Sequence, residues 1–366
     1  FYYFLFNIHV MELPLKSAPQ SICLLRLSAV GDICHTVPVV RRIQHYWPET
    51  KITWITGKLE STLVGDIPGI EFIIFDKSQG WSAYRNLRQK LKGRQFDVLL
   101  HMQVSLRASL ASLSVSANIK LGFDRQRARD YQWLFTNQKI KAVPRQHVME
   151  GLLEFANALG VLEAKPEWGI PVPDAANEFV NKTLDPQKKW LVISPCSSSR
   201  FRNWRNWRAE RYAEVADYAL EKYNLHTVLT GGPTALEQEY GEKISALSKC
   251  KPVNLIGQTS LKQLLAILAK SKVLVSPDSG PAHMATTVNT AVIGLYVTSN
   301  PLRTGPYLSQ QWLVNKYPQA IETESGKSIE QVAWGKRVRR AEAMDLITVE
   351  DVTRKLDELE RASIIR

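Results

Sequence analysis

The chain has 366 residues, more than one hydrophobic core ordinarily supports, so two domains are the starting expectation. Hydrophobic residues at 45% and charged residues at 22% make a globular composition and argue against a disordered chain. The net charge of +12 favours an anionic partner: a nucleotide, a nucleic acid or an anionic membrane face. The four cysteines (Cys23, Cys34, Cys196, Cys250) form no CxxC pair, which points to a reducing compartment and away from a disulfide framework or a zinc site.

The first ten residues, FYYFLFNIHV, are mostly apolar but too few to span a bilayer, and they lack the basic start of a signal peptide. Residues 1–20 read as an N-terminal extension with Met11 as a candidate start; the alternative is a short membrane-contacting segment. From residue 21 the chain alternates short β-rich runs with amphipathic stretches. Strands are predicted at Ile22–Leu27, Lys51–Thr56, Glu71–Phe75, Phe96–His101 and Ile119–Gly122. They are apolar runs bounded by turn residues, the pattern of strands buried on both faces of a parallel sheet.

The first of these strands runs into Ser28-Ala29-Val30-Gly31-Asp32 and then an amphipathic helix. Ligands of open α/β sheets bind outside the carboxyl ends of the strands, where this loop lies. Gly31 permits a tight turn or a close ligand approach, and Asp32 projects from the helix start. Taken alone, an acid in that position is a cap for the helix's orphan amides. The loop is not GxGxxG, so a dinucleotide fingerprint is absent.

Three prolines and a glycine in Glu163–Asp174 mark a domain boundary. Beyond it strands are predicted at Leu191–Ser194, Thr227–Thr230, Val253–Leu255, Val273–Ser276 and Ala291–Leu295. The run SSSRFRNWRNW interleaves arginine with tryptophan. Arg205 suits a diphosphate clamp while Trp204 and Trp207 pack as core; the competing reading is a nucleic-acid surface. No recognised nucleic-acid motif is present, and nucleic acid is not expected as a partner. A glycine turn, Gly231-Gly232-Pro233, precedes Glu237, an acid suited to ribose hydroxyls. In the string PDSGPAHMA, Asp278, Ser279 and Gly280 open a helix carrying His283, and helix-start amides there suit a phosphate. Thr348 is a predicted N-cap for a last helix with an apolar stripe of Val352, Leu356 and Leu359.

RLSAVGDICHTVPVVRRI, SSSRFRNWRNWRAERYAEVA, GGPTALE and SPDSGPAHMA, in this order over residues 20 to 360, together resemble glycosyltransferase family 9, the family of the ADP-heptose:lipopolysaccharide heptosyltransferases. The resemblance implies an α/β GT-B fold: two Rossmann-like domains with parallel sheets facing across a cleft, and a C-terminal helix crossing back. Residues 21–165 would be the acceptor-binding domain, 166–345 the nucleotide-sugar domain, and 346–366 the helix packing back on the first. It implies inverting, metal-independent transfer of a heptose from ADP-heptose, with no cofactor, to the Kdo/heptose core of lipid A, on the cytoplasmic face of an anionic inner membrane. Asp32 matches the family's base, with Ser28 and Gly31 in its loop. Ser198, Ser199, Arg205, Glu237, Asp278, Ser279, Gly280 and His283 match donor-binding positions. Arg205 stands where the family has lysine, a departure that keeps the charge but changes the reach. Pro281 and Thr259 also depart from some members and leave the donor sugar open. Another nucleotide sugar, or a non-catalytic nucleotide- or nucleic-acid-binding module, are the alternatives.

Overall fold

A computed structural model describes residues 12–162, 165–197 and 203–366. The chain divides into two compact units. One runs up to Pro144 and resumes at Met149–Trp168; the other comprises Arg145–Val148 and Gly169–Arg366.

The first unit holds β1 (Ser21–Leu25), β2 (Lys51–Gly57), β3 (Ile70–Phe75), β4 (Gln95–His101), β5 (Ser116–Gly122) and β6 (Gln138–Lys139). The second holds β7 (Lys189–Ile193), β8 (Leu225–Leu229), β9 (Val253–Asn254), β10 (Val273–Pro277), β11 (Ala291–Tyr296) and β12 (Val314–Asn315). All ten predicted strands are present. The two that the sequence did not reveal, β6 and β12, are two-residue strands at sheet edges, too short for any hydrophobic period to register.

Each sheet is parallel. The orders are β3-β2-β1-β4-β5-β6 and, read in the same direction, β9-β8-β7-β10-β11-β12, so both units follow the doubly wound pattern. The chain winds outward from β1 in one direction, then returns to add β4 on its other side. This creates a switch point between β1 and β4, where Leu25 lies level with His101. The second unit repeats it between β7 and β10, where Ile193 is level with Val275. Side chains of β1, β7, β10 and β11 are almost wholly buried, because helices cover both faces of each sheet.

Gly57 closes β2 against the loop that follows β1. A Cβ there would lie 2.3 Å from the Leu27 carbonyl oxygen, so a larger residue would push that loop away.

The last helix, Val349–Arg361, begins as its sequence predicts. Thr348 accepts from the Asp351 amide at 3.2 Å while the Asp351 carboxylate accepts from the Thr348 amide at 3.1 Å, a reciprocal capping box. Its position differs from the expected return to the N-terminal domain. Val352, Leu356 and Leu359 are fully buried in the core of the second unit, with Tyr212, Val215 and Ala219 of helix Ala209–Tyr223. Asp357 fixes the register by accepting from Tyr218 Oη at 2.6 Å, with Lys222 at 3.1 Å. Burial of the three apolar side chains in this core contributes on the order of 2 kcal/mol each.

Candidate functional site

In the first unit, four residues after β1 lead into helix Val30–Tyr46, and Asp32 stands in its first turn. The carboxylate is shaped by Arg26, the residue immediately after β1. Its Nη2 lies 2.6 Å from Asp32 Oδ2, its Nε donates to the Ser28 carbonyl at 3.1 Å, and its Nη1 donates to the Met102 carbonyl beyond β4. The guanidinium thus spans the switch point. Gln103 braces the same loop from β4's side: its Oε1 accepts from the Leu27 amide at 2.6 Å and the Ser28 amide at 3.2 Å, and its Nε2 donates to Ser28 Oγ at 3.4 Å. Gly31 is buried beneath.

Asp32 Oδ2 also accepts from the Ala29 amide at 3.3 Å, so the acid does cap its helix. Capping leaves the carboxylate accessible: the side chain remains 38% exposed, while Arg26 is only 10% exposed. A water-accessible carboxylate with a shielded cation behind it can take a proton from a hydroxyl presented at its outer side. Glu60, buried in helix Lys58–Val64, is held above the usual carboxylate range, chiefly by burial and further by the charge of Asp32. The charge of Lys77 acts on Glu60 in the opposite direction, and Arg26 offsets the charge of Asp32 itself.

In the second unit, the loop after β10 carries Asp278 and Ser279, and helix Gly280–Thr287 follows, with Ser279 at its N-cap position and Pro281 in its first turn. Asp278 is nine-tenths shielded, and its contacts concentrate on one carboxylate oxygen. Ser299 Oγ donates to its Oδ2 at 2.8 Å, Arg205 Nη1 lies 3.5 Å from the same oxygen and donates to its carbonyl at 2.9 Å, and His283 Nε2 stands 3.9 Å from Oδ1. Ser279 leaves its helix uncapped and pairs its hydroxyl with Ser276 Oγ at 2.7 Å. The helix-start amides are consequently presented toward the strand ends rather than covered by a side chain.

Across the switch point, the loop after β7 is pinned by asparagines. Asn206 Oδ1 accepts from the Ser197 amide at 2.9 Å, and Asn203 Oδ1 accepts from Ser197 Oγ at 2.8 Å and from the Arg205 amide at 3.1 Å. This hub aims Arg205 at Asp278. Trp207 fills the core and donates to the Ile347 carbonyl at 3.0 Å, while Trp204 is only half-buried. The predicted Ser198 and Ser199 lie outside the described residues.

Glu237 follows β8, the neighbour of β7. Its carboxylate accepts from the Gly232 amide at 2.8 Å and from Thr234 Oγ1 at 2.7 Å, so the glycine turn and the acid form one closed unit. Its charge also reaches Cys196 after β7, whose thiol is pushed up to about 12, first by burial and then by Glu237.

The residues singled out in the sequence, Asp32, Arg205, Asp278, Ser279 and His283, stand at these strand ends, and the structure adds neighbours the sequence did not indicate: Arg26, Gln103, Asn203, Asn206 and Ser299. The arginine of RLSAVGD was a usable signal, since a charge rarely closes a buried strand without a partner. Nothing local marks Gln103 or Ser299, which arrive from strands far away in sequence. Also unforeseen is His147. It lies in the segment Arg145–Val148 of the second unit, donates from Nε2 to the Gly305 carbonyl at 2.8 Å and meets the Tyr307 ring at 5.3 Å. Burial, aided by the charges of His283 and Arg303, pushes its imidazole down to about 4.

Residues 84–333 match the sequence profile of glycosyltransferase family 9 (heptosyltransferase). This chain belongs to that family. It is 43% identical over 342 residues to the lipopolysaccharide core heptosyltransferase OpsX of Haemophilus influenzae, covering 93% of this chain and 97% of that one. Among solved structures, a family 9 glycosyltransferase from Veillonella parvula superposes with a TM-score of 0.74 at 21% identity, covering 93% of this chain and 97% of that one. The heptosyltransferase WaaC of E. coli, solved with ADP, gives 0.71 at 19% identity over 92% and 99% of the two chains. These likenesses show the shared fold, the two-Rossmann GT-B organisation. The chain is thus a glycosyltransferase. Among the described residues, no group of three His, Cys, Asp or Glu side chains is placed to hold a metal ion.

Proposed function

We propose that this chain is an inverting heptosyltransferase that moves a heptose from ADP-heptose to the Kdo/heptose inner core of lipopolysaccharide. The observation that carries the reading is the pair of switch-point constellations: an accessible carboxylate braced by Arg26 in one unit, and a guanidinium, a serine hydroxyl and helix-start amides converging on the strand ends in the other. In this reading the second unit takes the donor. Its diphosphate sits against the start of helix Gly280–Thr287, and Asp278 and Glu237 order sugar hydroxyls around it. Arg205, Ser279 and the helix amides meet the charge that grows on the leaving diphosphate, without a metal. The first unit takes the acceptor. Asp32 removes the proton of the acceptor hydroxyl as its oxygen attacks the anomeric carbon, the bond to diphosphate breaks, and the configuration inverts.

The homology to a lipopolysaccharide core heptosyltransferase supports the sugar and the acceptor. No described helix is long and apolar enough to cross a membrane, and we place the chain in the cytoplasm, peripheral to the inner membrane where its lipid acceptor lies.

The test is ADP release from ADP-heptose with Kdo–lipid A or a heptosylated core, in EDTA. Release that needs both substrates supports the reading. Release abolished by EDTA and restored by a divalent cation would remove the metal-free step. Asp32→Asn should lower turnover by about 10²–10⁴-fold with ADP affinity intact; unchanged turnover would remove Asp32 from the base role.

A further inference from the structure

We infer that the carboxyl edge of the first sheet is a docking surface for an anionic phospholipid bilayer, centred on the corner Arg125–Leu134. The inference rests on the lipid-acceptor reading only for its purpose, not for its observations.

In a parallel sheet every loop that follows a strand emerges on one edge. In the first unit four successive strands end there in exposed apolar side chains. Leu59 stands in the first turn of the helix after β2, while Trp81 opens the helix after β3 and Leu106 the helix after β4. After β5 come Tyr131, Trp133 and Leu134 within four residues. Trp81 is 79% exposed, Tyr131 67% and Leu134 62%, values that water does not favour for side chains of this size. The second unit is built on the same pattern, yet its described residues expose leucines and no large aromatic. The feature therefore belongs to one unit rather than to the fold.

The corner is constructed. Gln132 is fully buried between the exposed neighbours; its Nε2 donates to the His101 carbonyl at 2.8 Å and its Oε1 accepts from the Phe123 amide at 3.1 Å. Asp124 accepts from the amides of Gln126 and Arg127 and holds the Arg127 guanidinium. With its polar groups tied inward, the short turn Gln132–Leu134 presents Tyr131, Trp133 and Leu134 outward.

The charges around them are complementary to an anionic surface. Arg125 stacks over the Trp133 ring at 3.8 Å, and Arg107, Arg129, Lys77 and Lys139 are exposed on the same edge. The acids there are mostly neutralised: Asp76 pairs with Lys58 at 3.3 Å, Asp124 with Arg127 and Asp32 with Arg26, leaving Asp130 as the exposed exception. Aromatic rings with a polar tip settle at headgroup depth, and basic side chains beside them are attracted by anionic lipid. Strand spacing puts β5 about 10 Å from β1, the strand that carries the Arg26–Asp32 pair. A bilayer met by this edge would lie beside the carboxylate.

The experiment is co-sedimentation of the full chain with vesicles of phosphatidylglycerol and phosphatidylethanolamine, against vesicles of phosphatidylcholine, with no sugar donor or acceptor present. The surface predicts preferential binding to the anionic vesicles that weakens at high salt. The triple variant Tyr131→Ser/Trp133→Ser/Leu134→Ser and the charge variant Arg125→Glu/Arg129→Glu should each lose about tenfold in partitioning. The charge variant changes exposed side chains only and keeps the question open to test if the serine variant does not fold. Equal binding to both vesicle types, or variants that partition like the parent, would overturn the assignment. So would retention of a single-stranded RNA oligonucleotide without vesicle binding, which would make this a nucleic-acid surface. Because no transfer is measured, failure of the heptosyl reading leaves this result standing.

Discussion

Arg26 Nη2 lies 2.6 Å from Asp32 Oδ2, and the same guanidinium holds main-chain oxygens on both sides of the β1–β4 switch point. A single buried cation thus fixes where the carboxylate points and what charge surrounds it. Arg26 touches no substrate in the proposed reaction, so its role is positioning.

Arg26→Ala should lower kcat by about ten- to a hundredfold while ADP affinity and the donor KM stay near the parent values, since misplacing a reacting group costs rate rather than binding. Arg26→Lys should recover part of the loss by restoring the charge without the fork. Steady-state kinetics alongside ADP titration decide this. A rise in donor KM with kcat unchanged would mean that Arg26 acts on donor binding instead.

Removing Arg205 should act on the other half of the reaction. Its guanidinium neutralises the shielded Asp278 carboxylate and, in the proposed mechanism, the diphosphate. Arg205→Ala should raise the ADP dissociation constant by about tenfold or more, the usual scale for a charge-assisted contact. Arg205→Lys should fall between. Calorimetric titration with ADP measures both; unchanged affinity in the alanine variant would detach Arg205 from the phosphates.

Acid should loosen the fold through two buried histidines. Burial pushes His101 and His147 down to about 4, against an ordinary value of 6.5. A histidine depressed in the folded state binds its proton more readily when unfolded. Its contribution is therefore complete above 6.5 and is lost as pH falls from there to 4, by roughly 3 kcal/mol for each at the acid limit. Thermal melts between pH 7 and 4.5 should show the decline, and His101→Gln or His147→Gln should flatten it. Equal acid sensitivity in both variants would assign the decline to other groups.

Leu356→Ala removes a fully buried side chain from the stripe that seals the second unit and should cost about 2–5 kcal/mol. Leu113→Ala, at a residue 66% exposed, should change stability by less than about 0.5 kcal/mol. Urea denaturation distinguishes them. A near-neutral Leu356→Ala would mean that the last helix is not part of that unit's cooperative core.

The sequence by itself determined what is written in short-range periodicity and turn chemistry. Ten of the strands were readable because a doubly covered parallel strand must be a continuous apolar run, and Thr348 because a cap acts on residues three positions away. Asp32, Asp278 and His283 were visible because strand–small loop–helix is a local arrangement. What only the tertiary structure decided is what lies opposite each of these. The Arg26 contact with Met102 and the bracing of Ser28 by Gln103 exist because β1 pairs with β4, 76 residues on, and Ser299 reaches Asp278 because β10 pairs with β11. The same holds for the last helix: its stripe was legible, but an amphipathic face specifies only that something apolar must cover it. Hydrophobic burial is non-directional, so the choice of the second unit's core was made by packing, with Asp357 and its tyrosine partners setting the register.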